Sequence, residues 1–410
     1  MGTGPLSLLA RFRVLFGVGT SGVRHSFVAL ALSALGALVA GVALGALEET
    51  LERFPGLLVL VPAAIAARGN VFGALGARLG TSIHAGTFSL SRRLDTFVGQ
   101  NVAASMVLTV GLSTLLGVFA AVVTLAFGLE AVSLADYVVI SFFGGVIASI
   151  VVLGITLALA AGSVRFGWDL DNVTAPLVTA TGDLATVPAL LAATWFAGRG
   201  SVTPVLAGGA AVVTVALIGM AWRTGLEQLR RILVESAPVL IFAGVLSLVA
   251  GVFLERRVTT LAEFEALFVL IPGYLGSAGA LGGILSNRLS TKMLLGLAPA
   301  SNLPGRQVRD DFVSIAVLAI PVFLLNGLLA HASSVLGITS PGWPTMVGVA
   351  VIGGVSASAF VAVVAYYATV AAVRFGLDPD SYGIPMVTST LDVVGAFTLI
   401  FALAVLGVAQ

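Results

Sequence analysis

The sequence predicts an all-α protein that crosses a membrane about 11 times, as two parallel five-helix repeats joined by a linking helix. Its composition, a series of long apolar runs and an internal repeat all indicate this class. Of its 410 residues, 58% are hydrophobic and 10% are charged, whereas soluble domains are about 45–50% apolar and about 25% charged. This composition excludes a soluble enzyme, a disordered chain and a nucleic-acid-binding protein. The absence of cysteine excludes disulfides and thiolate metal sites.

Eleven apolar runs are each long enough for a helix that spans the hydrocarbon core, which takes about 20 residues. None shows the alternation with period 2 that a transmembrane β-strand requires. The predicted spans are 26–47, 57–79, 97–128, 135–162, 173–197, 203–222, 236–254, 266–288, 311–334, 344–372 and 383–409. Before them, Arg11 and Arg13 alternate with apolar residues, which is typical of a short amphipathic helix at the membrane surface.

The distribution of basic residues predicts the orientation. With the N-terminus inside, 15 Lys and Arg residues face the cytoplasm, 4 face outward, and Arg68 lies within a span. The positive-inside rule therefore predicts a cytoplasmic N-terminus and an external C-terminus. We expect the membrane to be the plasma membrane. Acidic residues, among them Glu49 and Glu255, collect in the outer loops. They would either concentrate cations at an outer mouth or simply be tolerated there.

Self-comparison reveals an internal repeat. Residues 164–183 match residues 373–392 at 11 of 20 positions with an offset of 209, and residues 62–86 match 272–296 at 8 of 25 positions with an offset of 210. Each repeat contains five spans, and the sixth span has no counterpart. Because five is odd, this extra span gives both repeats the same orientation. The predicted domains are residues 1–200, a linking helix at 201–224, and residues 225–410.

Two acids, Asp183 and Asp392, lie deep in predicted spans at equivalent repeat positions. An unpaired carboxylate there costs at least about 2.5 kcal/mol, so its duplication favours a cation held between the pair. Thr179 and Thr388 lie one helical turn earlier on the same face and could add oxygen ligands. An all-oxygen site suits Mg²⁺, with Mn²⁺ and Ca²⁺ as the other hard cations it would accept. The simpler explanation is a structural aspartate satisfied by hydroxyls or by Arg68.

The second candidate segment begins at Pro62 and continues through Gly69 to Asn70. We expect the proline and the small residues to interrupt the helix and free carbonyl groups along a polar path. The amide of Asn70 could contact a hydrated ion, although its repeat counterpart is Ala280. The alternative is close helix packing at small residues. The residues predicted to line the pore or its mouth are Gly69, Gly279, Glu49 and Asn287.

These motifs resemble a known family. The segment from Pro62 to Asn70 and the pattern D-x₆-P-x-V-T-x-T-x-D, ending at Asp183 and again at Asp392, resemble the transmembrane domain of the MgtE magnesium channels and transporters. The chain looks like two such domains fused in tandem, as in the animal solute-carrier relatives of MgtE. The resemblance implies that Asp183 and Asp392 bind Mg²⁺ on the symmetry axis and that Asn70 lines the pore. It also implies a pseudo-dimer within one chain, and no obligate protein partner is inferred.

The sequence therefore predicts a divalent cation channel or transporter, not an enzyme, with the lipid bilayer and the transported cation as its expected partners and no nucleic acid. An exchanger of Mg²⁺ against Na⁺ or H⁺ is the close alternative. A membrane-embedded lipid enzyme with the two aspartates as acid and base is the alternative of another class. Arg68 should face away from the ion path, because a fixed cation would repel the ion.

Overall fold

The computed structural model describes residues 20–45, 48–84, 86–91, 93–166, 170–294, 296–376 and 383–408. The side chains of 20–29, 48, 84, 170–176, 179 and 384 lie outside this description. Arg11 and Arg13, predicted to lie on a surface helix, are also outside the described residues. The described part of the chain is 84% helical and contains no strand, which confirms the predicted fold class.

Eleven long helices and two short ones follow one another through the described ranges. The first half of the chain contains α1 (Thr20–Gly45), α2 (Glu48–Arg53), α3 (Leu57–His84), α4 (Phe97–Ala126), α5 (Leu134–Phe166) and α6 (Leu170–Thr194), and α7 (Val202–Arg223) follows it. The second half contains α8 (Glu227–Glu255), α9 (Val258–Ala262), α10 (Ala266–Leu294), α11 (Arg306–Ala332), α12 (Trp343–Arg374) and α13 (Ile384–Val405). A single 3₁₀ turn, Ser333–Leu336, follows α11.

Each predicted span corresponds to one of the long helices. Several helices extend past their apolar run, most clearly α8, which begins nine residues before the predicted span at 236–254. Its first turns carry charged residues, and a helix can continue beyond the hydrocarbon core where water solvates such side chains. Among the described residues, nine helices are long and apolar enough to cross a membrane. Helices α1 and α6 are not among those nine, so eleven spans remain a prediction.

The expected helix interruption at Pro62 is wrong. Both α3 and α10 run without a break through Pro62 and Pro272. A proline inside a helix removes one backbone hydrogen bond, to the carbonyl four residues earlier. Neighbouring helices hold a membrane helix straight enough to survive that single loss. Any polar path along these helices must therefore be lined by side chains and small residues, not by an unwound backbone.

The first helix of each half crosses into the other half. Helix α1 packs on α6 of its own half and on α10 and α11 of the second, while α8 packs on α13 and on α3 and α4 of the first. Gly41 of α1 abuts the backbone of Val269, and Gly251 of α8 abuts the backbone of Val59. The two contacts are related by an offset of 210 in both members. This reciprocity is what a pseudo-twofold relation between the halves requires.

The same relation holds inside the halves. A methyl group added at Gly117 would lie 2.7 Å from Val138 Cα, and one added at Gly327 would lie 2.8 Å from Val347 Cα. These contacts join α4 to α5 and α11 to α12, with an offset of 210 for the glycines and 209 for the valines. Equivalent positions can therefore be compared across the two halves, residue by residue.

The linking helix α7 packs beside the first half, against α4 and α5, with a smaller contact to α8. Thr214 hydrogen-bonds Thr114 of α4 at 2.7 Å, and most of the other α7 side chains are exposed. An apolar helix with one packed side is suited to a lipid-facing position. Elsewhere one continuous apolar core runs through both halves. The domain limits at 200 and 224 fall at the two ends of α7 and remain a prediction.

The Glu255 carboxylate joins the halves near the end of α8. Its Oε1 accepts a hydrogen bond from the Gly56 amide at 3.0 Å, and its Oε2 accepts one from the Leu58 amide at 3.1 Å. These amides begin α3, where backbone N–H groups lack helical partners and the helix dipole favours a negative charge. Glu255, grouped above with the acidic outer loops, therefore caps a helix of the opposite half.

Glu255→Gln should destabilise the protein by about 1 kcal/mol, since it removes the negative charge and one of the two acceptors. Thermal unfolding in detergent would measure the change. Glu263→Gln is the matched control, because Glu263 is an exposed acid in the same loop region. Equal melting temperatures for the two variants would contradict a capping role for Glu255.

Candidate ion site between the two halves

The paired aspartates lie on α6 and α13 and are buried. Asp183 is 1% exposed and Asp392 is 9% exposed. Helix α6 contacts α10 of the second half, and α13 contacts α3 of the first. Both predicted carboxylates are therefore buried on helices that contact the opposite half.

The surroundings of the two carboxylates differ. The Ser247 hydroxyl, on α8, donates a 2.6 Å hydrogen bond to Asp392 Oδ2. Asp183 Oδ2 is buried and has no hydrogen-bond partner among the described residues. It faces α10, where a methyl group added at Gly276 would lie 3.4 Å from it. Any larger side chain at this position of α10 would press on the carboxylate.

Two more predicted site residues meet across the halves. The Thr388 hydroxyl, on α13, lies 3.3 Å from Asn70 Oδ1, on α3, and 3.1 Å from the Pro385 carbonyl oxygen of its own helix. A methyl group added at Gly279 of α10 would be in ordinary contact with Thr388, at 3.8 Å. The side chain of Thr179, the repeat counterpart of Thr388, lies outside the described residues. A polar contact between the halves thus lies one helical turn from Asp392.

Three glycines near this contact face open space. A methyl group added at Gly69, Gly73 or Gly283 would meet no atom within 4 Å beyond its own helix. Gly69 and Gly73 share one face of α3, and Gly283 on α10 is the repeat counterpart of Gly73. Equivalent faces of α3 and α10 are therefore unfilled. These faces lie between the level of the aspartates and the C-terminal ends of the two helices.

Arg68 points away from this open space. Its guanidinium is 2% exposed and is enclosed by α3, α4 and α5. It donates hydrogen bonds to the Ala64 carbonyl oxygen at 2.6 Å and to Ser113 Oγ at 2.8 Å. Its Nε has no partner, and no carboxylate of the described chain pairs with it. The ion pair with an aspartate considered above is therefore not formed within the described residues.

The remaining predicted residues lie apart from the aspartates. Glu49 is exposed on the short helix α2, and Asn287 is exposed on α10, two turns after Gly279. Ser247, which contacts Asp392 directly, is not predicted by the repeat or by the aspartate motif. One signal was available: Ser247 is a lone polar residue in an apolar run, and its repeat counterpart is Ala37.

The arrangement suits a weakly held, hydrated cation better than a tightly caged one. Within the described ranges, no group of three or more His, Asp or Glu side chains is placed to hold a metal ion. Two carboxylates, with neighbouring hydroxyl and amide oxygens, leave most of a cation's coordination to water. Mg²⁺ loses its waters reluctantly and is bound in this way in many proteins.

Comparison with known proteins identifies the family. The family model MgtE, described as "Divalent cation transporter", matches residues 61–193 and again residues 271–402, together about two thirds of the chain. The chain belongs to the MgtE family. Each match runs from α3 to α6 or from α10 to α13, so two MgtE-type units stand in tandem. The protein is therefore a multi-pass membrane protein of a transporter family that carries divalent cations.

The chain is also similar to two mammalian proteins named "Solute carrier family 41 member 3". It is 25% identical to the rat protein over 276 residues, which are 64% of this chain and 58% of that protein. It is 25% identical to the mouse protein over 245 residues, 57% of this chain and 49% of that protein. The chain thus spans about half the length of the curated relatives it matches. No solved structure matches it.

Proposed function

We propose that the protein conducts Mg²⁺ across a plasma membrane, through a site between its two halves held by Asp183 and Asp392. The observation that carries this proposal is the pair of buried carboxylates where α6 and α13 meet the opposite half. When ionised, the pair has a charge of −2, which balances one divalent ion. Membership in a family of divalent cation transporters favours transport over lipid chemistry at these aspartates.

The path follows from the open faces beside the site. An ion leaving the aspartates would pass the contact between Asn70 and Thr388 and enter the space beside Gly69, Gly73 and Gly283. By the distribution of basic residues, that space opens to the cytoplasm. The membrane potential would drive inward flow with about 4.6 kcal/mol per divalent ion at 100 mV. No ATP-binding motif is needed for such a mechanism.

The test is Mg²⁺ uptake into proteoliposomes under an imposed potential, with no other gradient, read by a Mg²⁺-sensitive dye inside. We expect uptake by the parent protein and a loss of at least about tenfold in Asp183→Asn and in Asp392→Asn, because each removes a charged ligand. Asp310→Asn is the matched control. Asp310 is an exposed acid at the start of α11 and should leave uptake unchanged.

Other outcomes would redirect the assignment. Uptake that appears only with an opposing Na⁺ or H⁺ gradient would make the protein an exchanger. Uptake of Mn²⁺ or Ca²⁺ in preference to Mg²⁺ would keep the site and change the cargo. Full activity in both asparagine variants would show that the aspartates are structural.

A further inference from the structure

The two halves are not equivalent around the aspartates. Ser247 and Ser389 lie on the Asp392 side, where their repeat counterparts on the Asp183 side are Ala37 and Ala180. The register is secure, because Ala37 precedes Gly41 by one turn as Ser247 precedes Gly251, and both glycines make the reciprocal contacts between the halves. The hydroxyl that contacts Asp392 therefore has no counterpart at Asp183.

We propose that Ser247 is a positioning residue that holds Asp392 as a fixed ligand, so that Asp183 is the carboxylate that receives the ion directly. This inference rests on the proposed function and assigns unequal roles to two residues that the repeat makes equivalent. Asp392 Oδ2 accepts the 2.6 Å hydrogen bond from Ser247, which fixes the orientation of the carboxylate and leaves Oδ1 and the second lone pair of Oδ2 for the ion. Among the described residues, Asp183 Oδ2 accepts no hydrogen bond, so no contact of that kind fixes the orientation of this carboxylate before an ion arrives.

The physical reason is preorganisation. A hydrogen bond between a hydroxyl and a carboxylate is short and strong, and it fixes the orientation of the carboxylate. Groups that orient a metal ligand in this way change metal affinity by roughly 10- to 100-fold when they are removed. Two freely rotating carboxylates would have to be ordered each time an ion entered. With one fixed carboxylate, a preoriented ligand is always present, and only the other carboxylate has to be ordered when an ion binds.

The experiment compares Ser247→Ala, Ser247→Thr and Ala37→Ser in the potential-driven Mg²⁺ uptake assay. Ser247→Ala should raise the apparent KM for Mg²⁺ about tenfold while the maximal rate changes less than KM. Ser247→Thr keeps the hydroxyl and should restore the parent KM. Ser358→Ala is the control, because that buried hydroxyl donates only to Gly354 O of its own helix, at 2.8 Å.

The sharper readout is the ranking of the aspartate variants. In the parent background, Asp183→Asn should weaken Mg²⁺ binding more than Asp392→Asn. Binding can be measured independently of transport, as the rise in melting temperature that Mg²⁺ produces in detergent. In the background Ser247→Ala with Ala37→Ser, the hydroxyl has moved to the other half, and the ranking should reverse.

Each result decides a separate point. Equal effects of the two asparagine variants, or a KM within twofold of the parent in Ser247→Ala, would overturn the positioning role while leaving the aspartates as the ion site. Transport and Mg²⁺ binding that ignore both aspartates would instead reject the proposed function. Should Ser247→Ala fail to fold, Ala37→Ser alone decides the matter. Ala37→Ser should fix the second carboxylate and so reduce the difference in Mg²⁺ binding between Asp183→Asn and Asp392→Asn. An unchanged difference would overturn the proposal.

Discussion

Replacing Gly251 with alanine should destabilise the protein by about 3 kcal/mol, near the upper end for overpacking a close contact. The added methyl group would overlap the Val59 carbonyl oxygen and lie 2.6 Å from Val59 Cα. These are backbone atoms of a packed helix, so no side chain can rotate away to make room. Gly41→Ala should behave in the same way, because its methyl group would lie 2.7 Å from Val269 Cα.

Thermal unfolding and size-exclusion chromatography in detergent would measure both variants. Gly208→Ala on α7 is the matched control, since a methyl group there meets no atom within 4 Å beyond its own helix. It should be neutral or slightly stabilising, because alanine favours a helix more than glycine does. If Gly251→Ala and Gly208→Ala have the same melting temperature, the close approach of α8 to α3 is not present in the protein.

The second large effect is expected at Arg68 and Ser113. In the second half, the equivalent residues are Ala278 and Phe323, and the Phe323 ring occupies the space next to Gly354. In the first half, the Arg68 guanidinium and the Ser113 hydroxyl occupy the space next to Gly145. A charged side chain with a hydroxyl in the first half and an aromatic ring in the second thus occupy equivalent places.

Ser113→Phe alone should cost at least about 3 kcal/mol, because the ring overlaps the guanidinium and removes the acceptor of its Nη2 proton. Arg68→Ala alone should leave a cavity and cost about 3 kcal/mol. The double variant rebuilds the packing of the second half and should be close to the parent in stability. A double-mutant cycle on unfolding free energies measures the coupling. Additive losses would show that the two pockets are not interchangeable.

The sequence allowed the helices to be predicted better than the site. Apolar runs of about 20 residues follow directly from the thickness of the hydrocarbon core, so the correspondence between runs and helices needs no knowledge of packing. Helix ends were less accurate, as at Glu227, because hydropathy does not report where a helix stops in water. The effect of Pro62 was overestimated, since the packing of neighbouring helices is invisible to a local pattern.

The predicted site shows a similar limit. Duplication singled out Asp183 and Asp392, because a repeated buried charge is costly and stands out in an apolar chain. Ser247 could not be predicted in this way, because it is not duplicated and one hydroxyl in a span costs little free energy. Its contact with Asp392 joins residues 145 positions apart in sequence. Only the packing of α8 against α13 places them together. A functional residue that is present in only one half is therefore not found by looking for matches between the two repeats.

The exchange of α1 and α8 between the halves also sets the order in which the chain can mature. Gly41 reaches its partner Val269 only after more than 200 further residues have been made. At about 5–20 residues per second, this delay is roughly 10–50 s. During that time the small-residue face of α1 lacks its partner in the second half. The packing of α1 is therefore completed only after the second half has been made, and a chain stalled between the halves would leave this face of α1 uncovered.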